Sequence, residues 1–467
     1  MGIRNIWTKN ELENALGRSI TSEYEFFGKI EFNSKDIKEG DIFIALEGGA
    51  RDPHDFIEDA IAKGARAVIA YKNYNHPKVI TVPDGLTALR LLAIYKRKNL
   101  NARFVGITGS SGKTSTKSHT AFLLSKFGPT FYNKGSFNNH IGTPLSIASI
   151  PRDSKFVVLE IGMNHAGEIR ELTKIAEPNI AVVTNIGPAH MQNLGSVENI
   201  CKAKCEIFEG LTGDKVSVIN RDSVFYELQY NIAKNLGIDN IFTFGESSKA
   251  DCFLESYEFG NNGEPSKANY SFFGKKIKTT NNLYGKHQAL NLAASLICLE
   301  ALGVSPEAAA EYFPQIPSND GRGVIHSIKI EGAKFKIIDD AYNANPSSLA
   351  VSLAAFAQIP GKKIVILADM RELGDKAVEL HRDMKDAVIN SGAELVVTAG
   401  SLMYHLHNAV KGNLRTMHFD SIGTDVFEEI LRKVSHDDST ILVKGSNSTK
   451  IRDFVAFMLS KEALQDQ

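Results

Sequence analysis

The run GITGSSGKTST at 106–116 constrains this chain more than any other feature. It follows the apolar stretch ARFVGIT and leads into a helical pattern, TSTKSHTAFLLSKF. A buried strand, a glycine-rich turn and a helix start together let backbone N–H groups face a phosphate, and the helix N-terminus adds favourable partial charge. Gly109, Ser110, Ser111, Gly112, Lys113, Thr114 and Ser115 are therefore candidate ATP contacts. Lys113 would reach the β- and γ-phosphates, and the Thr114 hydroxyl would ligate Mg²⁺. The spacing departs from the strict Walker pattern, because Ile107 stands where a glycine is usual. A Gly/Ser turn that binds no nucleotide is the bland alternative; the strand–loop–helix context favours ATP or GTP. The loop alone does not separate an ATPase, a GTPase switch, a kinase and a ligase.

Short β-branched runs alternate with longer helical patterns along the rest of the chain, which predicts an α/β fold with mostly parallel sheets. ARAVIA (65–70), KFVVLEIG (155–162), IAVVTNIG (180–187), KVSVIN (215–220), KIVILAD (363–369), ELVVTAG (394–400) and TILVKGS (440–446) are nearly continuous apolar runs. Strands buried on both faces read this way. Single hydrophobic cores stop growing near about 250–300 residues, so 467 residues predict more than one domain. Three are expected: 1–82, 83–316 and 317–467, the last boundary falling in FPQIPSNDGRG, rich in proline and glycine. Between 245 and 283 the text turns polar and alternating, which predicts an antiparallel excursion on the central domain.

A formal net charge of −1 argues against nucleic acid or an anionic membrane as a bulk partner. The opening MGIRNIWTKNELENALG lacks the apolar core of a secretory signal, and no apolar run approaches the roughly 18 residues of a membrane span. A cytoplasmic chain without membrane insertion is expected. Four cysteines are too few for a disulfide framework, and Cys201 and Cys205, although four apart, lack a second pair with zinc spacing. Packed free thiols are the expectation.

Glu160 stands near the end of a predicted strand, where ligands gather in open α/β sheets. His190 follows another strand end, and Lys204 lies on a predicted helix. Taken in order, TGSSGKT, the Glu160 strand end, TNIGPAH and AKCEIF resemble the Mur ligases, which join amino acids or peptides to a UDP-linked muramoyl carboxylate. The resemblance implies a small N-terminal α/β UDP-binding domain, a central P-loop ATPase domain and a C-terminal Rossmann-like domain. It implies that Thr114 and Glu160 hold one Mg²⁺, that Glu160 and His190 help hold a second, and that Lys204 carries a CO₂-derived carbamate. Lys113, Glu160, His190 and Lys204 form the implied catalytic set.

LYGKHQALNLAASL (283–296) resembles the family's helix start, with Asn291 against adenine; Arg322 in DGRG would meet the γ-phosphate. IIDDAYNANPSSL (337–349), KGSFNNHIGTPLSI (134–147) and EIGMNHAGEIREL (160–172) resemble the branch of the family that adds D-alanyl-D-alanine to UDP-N-acetylmuramoyl-tripeptide. There Asp340 would accept from ribose hydroxyls and Tyr342 would pack on the nucleotide. Asn138, Asn139, Asn164, His165, Asn343 and Asn345 are the implied substrate contacts. Within VKGSNS, Asn447 replaces a usual arginine and leaves Lys444 as the cationic candidate. The stretch 32–70 resembles the family's UDP-binding segment, with Ser34, Lys35 and His54 as contacts; Lys35 replaces a usual arginine and Pro53 a usual glycine. An ATP-dependent carbon–nitrogen ligase acting as a monomer is expected. The alternatives left open are a sibling that adds one amino acid to the UDP-muramoyl dipeptide, the folylpolyglutamate synthetase branch, and a nucleotide-binding regulator that has lost ligation.

Overall fold

Runs of apolar residues without polar alternation become strands covered on both faces, and four sheets form from them in this computed structural model. It describes residues 5–48, 51–135, 137–260, 264–434 and 438–465. Gly49 and Ala50 of the 32–70 stretch, Ser136 of the 134–147 stretch and 261–263 of the polar excursion lie outside the described residues.

The largest sheet has nine strands. Arg103–Thr108, which carries the phosphate loop at its end, sits between Phe156–Glu160 and Ile180–Val183, with all three parallel. The chain first runs outward from Arg103–Thr108 on one side and then crosses back to continue on the other. That reversal creates the crevice at strand carboxyl ends where ligands bind in doubly wound folds. Two apolar clusters cover the sheet, one built largely with the helices Lys113–Leu124 and Lys286–Ala301, the other with Glu168–Ala176 and Val197–Cys205. The polar excursion becomes Cys252–Glu258, Ser266–Phe272 and Lys275–Asn281, antiparallel among themselves on the sheet's edge.

A six-stranded sheet follows, parallel except for Val324–Ile330. Ala333–Asp339 pairs in parallel with Ser439–Lys444, so Asp340 and Lys444 emerge from adjacent strand ends. The first unit has four short parallel strands, Ile30–Glu31, Ile42–Ile44, Ala67–Ala70 and Val79–Thr81, beside a two-stranded ribbon. The helix Gly85–Lys98 serves two cores: Leu89 and Leu92 pack on the first sheet's cluster, and Ala93 on that of the central sheet. Trp7 Nε1 donates to the Ala148 carbonyl at 2.8 Å and Lys96 Nζ to the Ile6 carbonyl at 2.6 Å, which fastens the N-terminal segment to its neighbour. All four cysteines are buried free thiols. Among the described residues no helix is long and apolar enough to cross a membrane.

Candidate active site

The phosphate loop takes its shape from two glycines. Gly109 has φ 152°, and a Cβ there would lie 2.0 Å from Thr184 Oγ1. Gly112, at φ 82°, precedes the first turn of Lys113–Leu124. Ser110 Oγ donates to the Gly187 carbonyl at 2.9 Å and Asn185 Nδ2 to Ser111 Oγ at 3.1 Å, so the segment after Ile180–Val183 braces the loop. Lys113 folds back, its Nζ donating to the Gly109 carbonyl at 2.7 Å.

Glu160 ends its strand 3% exposed and faces three donors. Thr114 Oγ1 donates to Oε2 at 2.7 Å, Asn138 Nδ2 to Oε1 at 2.7 Å, and Lys117 Nζ lies 3.3 Å from Oε2. Burial pushes the Glu160 carboxyl up, but Lys117, Lys113 and Arg322 outweigh it and hold the group below its usual range. Lys204 is 1% exposed and has no hydrogen-bond or ion-pair partner among the described residues. Burial, reinforced by the Lys113 charge, pushes its ammonium well below the usual lysine range. His190 Nδ1 lies 2.7 Å from Glu372 Oε2 of the third sheet. Nδ1 makes no aligned hydrogen bond there, so the two groups meet as a close packing contact. The His190 contact outweighs burial and holds the Glu372 carboxyl below its usual range.

These groups line a cavity of about 760 Å³ whose walls come from the central and third sheets. On the far wall the Arg322 guanidinium stands 4.2 Å over the Tyr342 ring. Lys444, 3% exposed, donates to Asp340 Oδ2 at 2.7 Å and to the Asn343 carbonyl at 3.2 Å. Its charge therefore serves Asp340, not an open cationic contact. Asn345 caps the helix Pro346–Ala357, and its Nδ2 approaches the Ser110 carbonyl at 3.5 Å, joining the two walls.

The cavity collects Ser110 to Ser115, Asn138, Glu160, Asn164, His190, Lys204 and Asn291, together with Arg322, Asp340, Tyr342, Asn343, Asn345 and Lys444. Asn139 and His165 do not line it: Asn139 Oδ1 accepts from the Gly142 N–H at 2.8 Å, and His165 pairs with Glu168 at 3.1 Å. Ser34, Lys35 and His54 stand apart on the first unit. His54 there has both ring nitrogens engaged, Nδ1 at 2.6 Å from Asp52 Oδ1 and Nε2 accepting from the Lys72 N–H at 3.2 Å.

Two residues escaped the sequence reading. Lys117 follows Lys113 by one helical turn, and that spacing on the phosphate-loop helix was a usable signal. Glu372 meets His190 only through the packing of distant segments and had no local signal.

Comparison with known proteins agrees with this geometry. Residues 107–299 match the family model described as the Mur ligase middle domain, and residues 325–447 the one described as the Mur ligase, glutamate ligase domain. The chain is 36% identical over 462 residues to the UDP-N-acetylmuramoyl-tripeptide--D-alanyl-D-alanine ligase of Rickettsia prowazekii, covering 97% of this chain and 99% of that one. A crystal structure of MurF from Acinetobacter baumannii superposes with a TM-score of 0.84 at 27% identity, covering 97% of this chain and 99% of that one. MurF from Thermotoga maritima in complex with ADP gives 0.78 at 26%, covering 94% and 98%.

Proposed function

From the premise that this chain belongs to the Mur ligase family, we propose that it joins D-alanyl-D-alanine to UDP-N-acetylmuramoyl-tripeptide with ATP, giving the UDP-muramoyl-pentapeptide, ADP and phosphate. The observation that carries the reading is the Thr114–Glu160 contact at the phosphate loop, set in a cavity closed by the third sheet.

A carboxylate is a poor acyl donor, so it must first be activated. The tripeptide carboxylate attacks the γ-phosphorus, the bond to the bridging oxygen breaks, and ADP leaves an acyl phosphate. The amine of D-alanyl-D-alanine then attacks the acyl carbon, the C–O bond breaks, and phosphate and a proton leave. Catalysis of this kind is mostly positioning and charge neutralisation. The loop N–H groups and Lys113 hold the phosphates, Arg322 faces the γ-phosphate from the far wall, and Asn291, Asp340 and Tyr342 hold the nucleoside. Asn138, Asn164, Asn343 and Asn345 offer amides to the peptide substrates. Ser34, Lys35 and His54 suit the UDP end. ATP and a UDP-linked substrate place the reaction in the cytoplasm.

The residues fit a magnesium ion. Thr114 Oγ1 and Glu160 Oε2 meet at 2.7 Å beside the phosphate loop, so two hard oxygens of the kind magnesium prefers would be available together there. His190 is the candidate for a second ion. Bound magnesium would neutralise phosphate charge. Lys204 fits a carbamate, since burial and the Lys113 charge push its amine well below the usual lysine range; a carbamate there supplies anionic oxygen where an ammonium would repel cations.

The test is phosphate release across a substrate matrix. Release requiring both UDP-N-acetylmuramoyl-tripeptide and D-alanyl-D-alanine is expected. Release with a single amino acid and the UDP-muramoyl dipeptide, or nucleotide binding with no substrate-dependent release, would overturn the proposal.

A further inference from the structure

Seven non-glycine residues among those described have positive φ, and two of them meet across the central and third sheets. His190 has φ 57° and Glu372 φ 66°. Side chains seldom adopt this region, and it persists where the surroundings impose it, commonly at functional sites. His190 lies beyond the carboxyl end of Ile180–Val183, before the short helix Met191–Leu194. Glu372 lies beyond the carboxyl end of Lys363–Ala368. The two segments touch backbone to backbone: a Cβ on Gly374 would stand 3.1 Å from Gln192 Cα. Both side chains line the cavity, with His190 Nδ1 at 2.7 Å from Glu372 Oε2. An interface that only needed an ion pair would not require two side-chain-bearing residues in left-handed backbone at the point of contact.

We propose that Glu372 is a positioning residue which acts through His190, so that docking of the third domain orients the histidine for the reaction. Glu372 Oε2 packs against the Nδ1 edge of the ring at 2.7 Å without an aligned hydrogen bond, which leaves Nε2 as the ring nitrogen away from that contact. A carboxylate packed against one edge of a histidine ring restricts the ring's position, and groups behind a ligating histidine matter for the site it serves. Here that carboxylate belongs to a different domain, so the histidine is set only when the domains are together. The inference rests on the ligase reading.

The experiment uses the full chain with Glu372→Gln, which removes the charge, and Glu372→Asn, which shortens the side chain while suiting left-handed backbone. Turnover is measured together with hydrogen exchange of the 186–194 amides in the presence of ATP and magnesium. Both variants should lose kcat by about 10- to 100-fold, keep the KM for the UDP substrate, need more magnesium for half-activation, and exchange faster at 186–194. In a His190→Ala background, Glu372→Gln should change the residual turnover no further. A kcat within twofold of wild type with unchanged exchange would overturn the proposal. So would losses that multiply in the double variant, which would show that Glu372 acts independently of His190. If His190→Ala leaves no measurable turnover, the exchange result decides. A wild-type protein without substrate-dependent phosphate release would sink the ligase reading instead, and the exchange data would still judge the contact.

Discussion

Replacing Lys117 with methionine should destabilise the central domain by about 3 kcal/mol at neutral pH. The Lys117 and Glu160 side chains are 2% and 4% exposed and 3.3 Å apart. At an effective dielectric of about 20, unit charges at that distance attract by about 5 kcal/mol before desolvation. Lys117 Nζ also donates to the Asn133 carbonyl at 2.7 Å and the Gly135 carbonyl at 3.3 Å, and methionine satisfies neither. Removing one partner of a buried pair costs about 3–5 kcal/mol. The low end applies because Lys113 and Arg322 still act on Glu160, and Thr114 and Asn138 still donate to it. The double variant Lys117→Met, Glu160→Gln should be more stable than the sum of the singles by more than about 1 kcal/mol, as coupled neighbours are. The sign with pH follows. Wild-type Glu160 is held below its usual range, so its contribution is complete above about pH 4.3 and is lost as pH falls through the folded value. Removing Lys117 raises that folded value, so the variant's deficit should grow toward neutral pH. Urea unfolding across pH measures all three. A Lys117→Met variant within about 0.5 kcal/mol of wild type, or strict additivity in the double variant, would refute the reasoning.

Gly109→Ala should abolish tight nucleotide binding, because its Cβ would meet Thr184 Oγ1 at 2.0 Å in a backbone of φ 152°; titration with ATP checks this. Arg322→Lys keeps the charge but loses the fork and the ring contact at 4.2 Å. It should raise the KM for ATP by roughly tenfold, the equivalent of about 1.4 kcal/mol. For Lys204, ¹³C-bicarbonate should give a carbamate signal by NMR that is missing from Lys204→Arg, along with lost turnover. Since burial and Lys113 push the amine well below its usual range, the carbamate should form more readily there than on an exposed lysine.

The strands of the central and third sheets were legible because two-sided burial leaves nearly continuous apolar runs. Phe156–Glu160 and Ser439–Lys444, for example, are buried throughout. Arg415–Phe419 was not, because this edge strand begins with an exposed arginine and is only partly covered along the rest of its length. The phosphate loop was legible because its glycines answer to local backbone demands. Asn139 and His165 fall outside the cavity lining, and sequence did not show it, because a turn-forming amide and a loop histidine look the same whether they cap a helix or face a ligand. The role of Lys444 was hidden too: a lysine at a strand end does not reveal that the neighbouring strand will present Asp340 to it. What sequence could not carry was any pairing across the two walls, His190 with Glu372 above all, since neither loop encodes its partner.

The charge arrangement shows why the cavity needs an anionic guest. Lys113 and Lys117 flank the buried carboxylate of Glu160, and burial lowers both ammonium groups from their usual range. Their charge is only partly answered within the protein: Lys117 pairs with Glu160, while Lys113 is folded onto a backbone carbonyl of its own loop. A site that only needed to be stable would replace such groups with apolar ones. Keeping Lys113 there without a carboxylate of its own makes sense when a triphosphate supplies the missing negative charge, and a low-dielectric setting then makes each contact stronger than it would be in water. The third sheet completes that setting by covering the loop with Arg322 and Asn345. Nucleotide would therefore meet its charge partners inside a cavity that both walls already enclose.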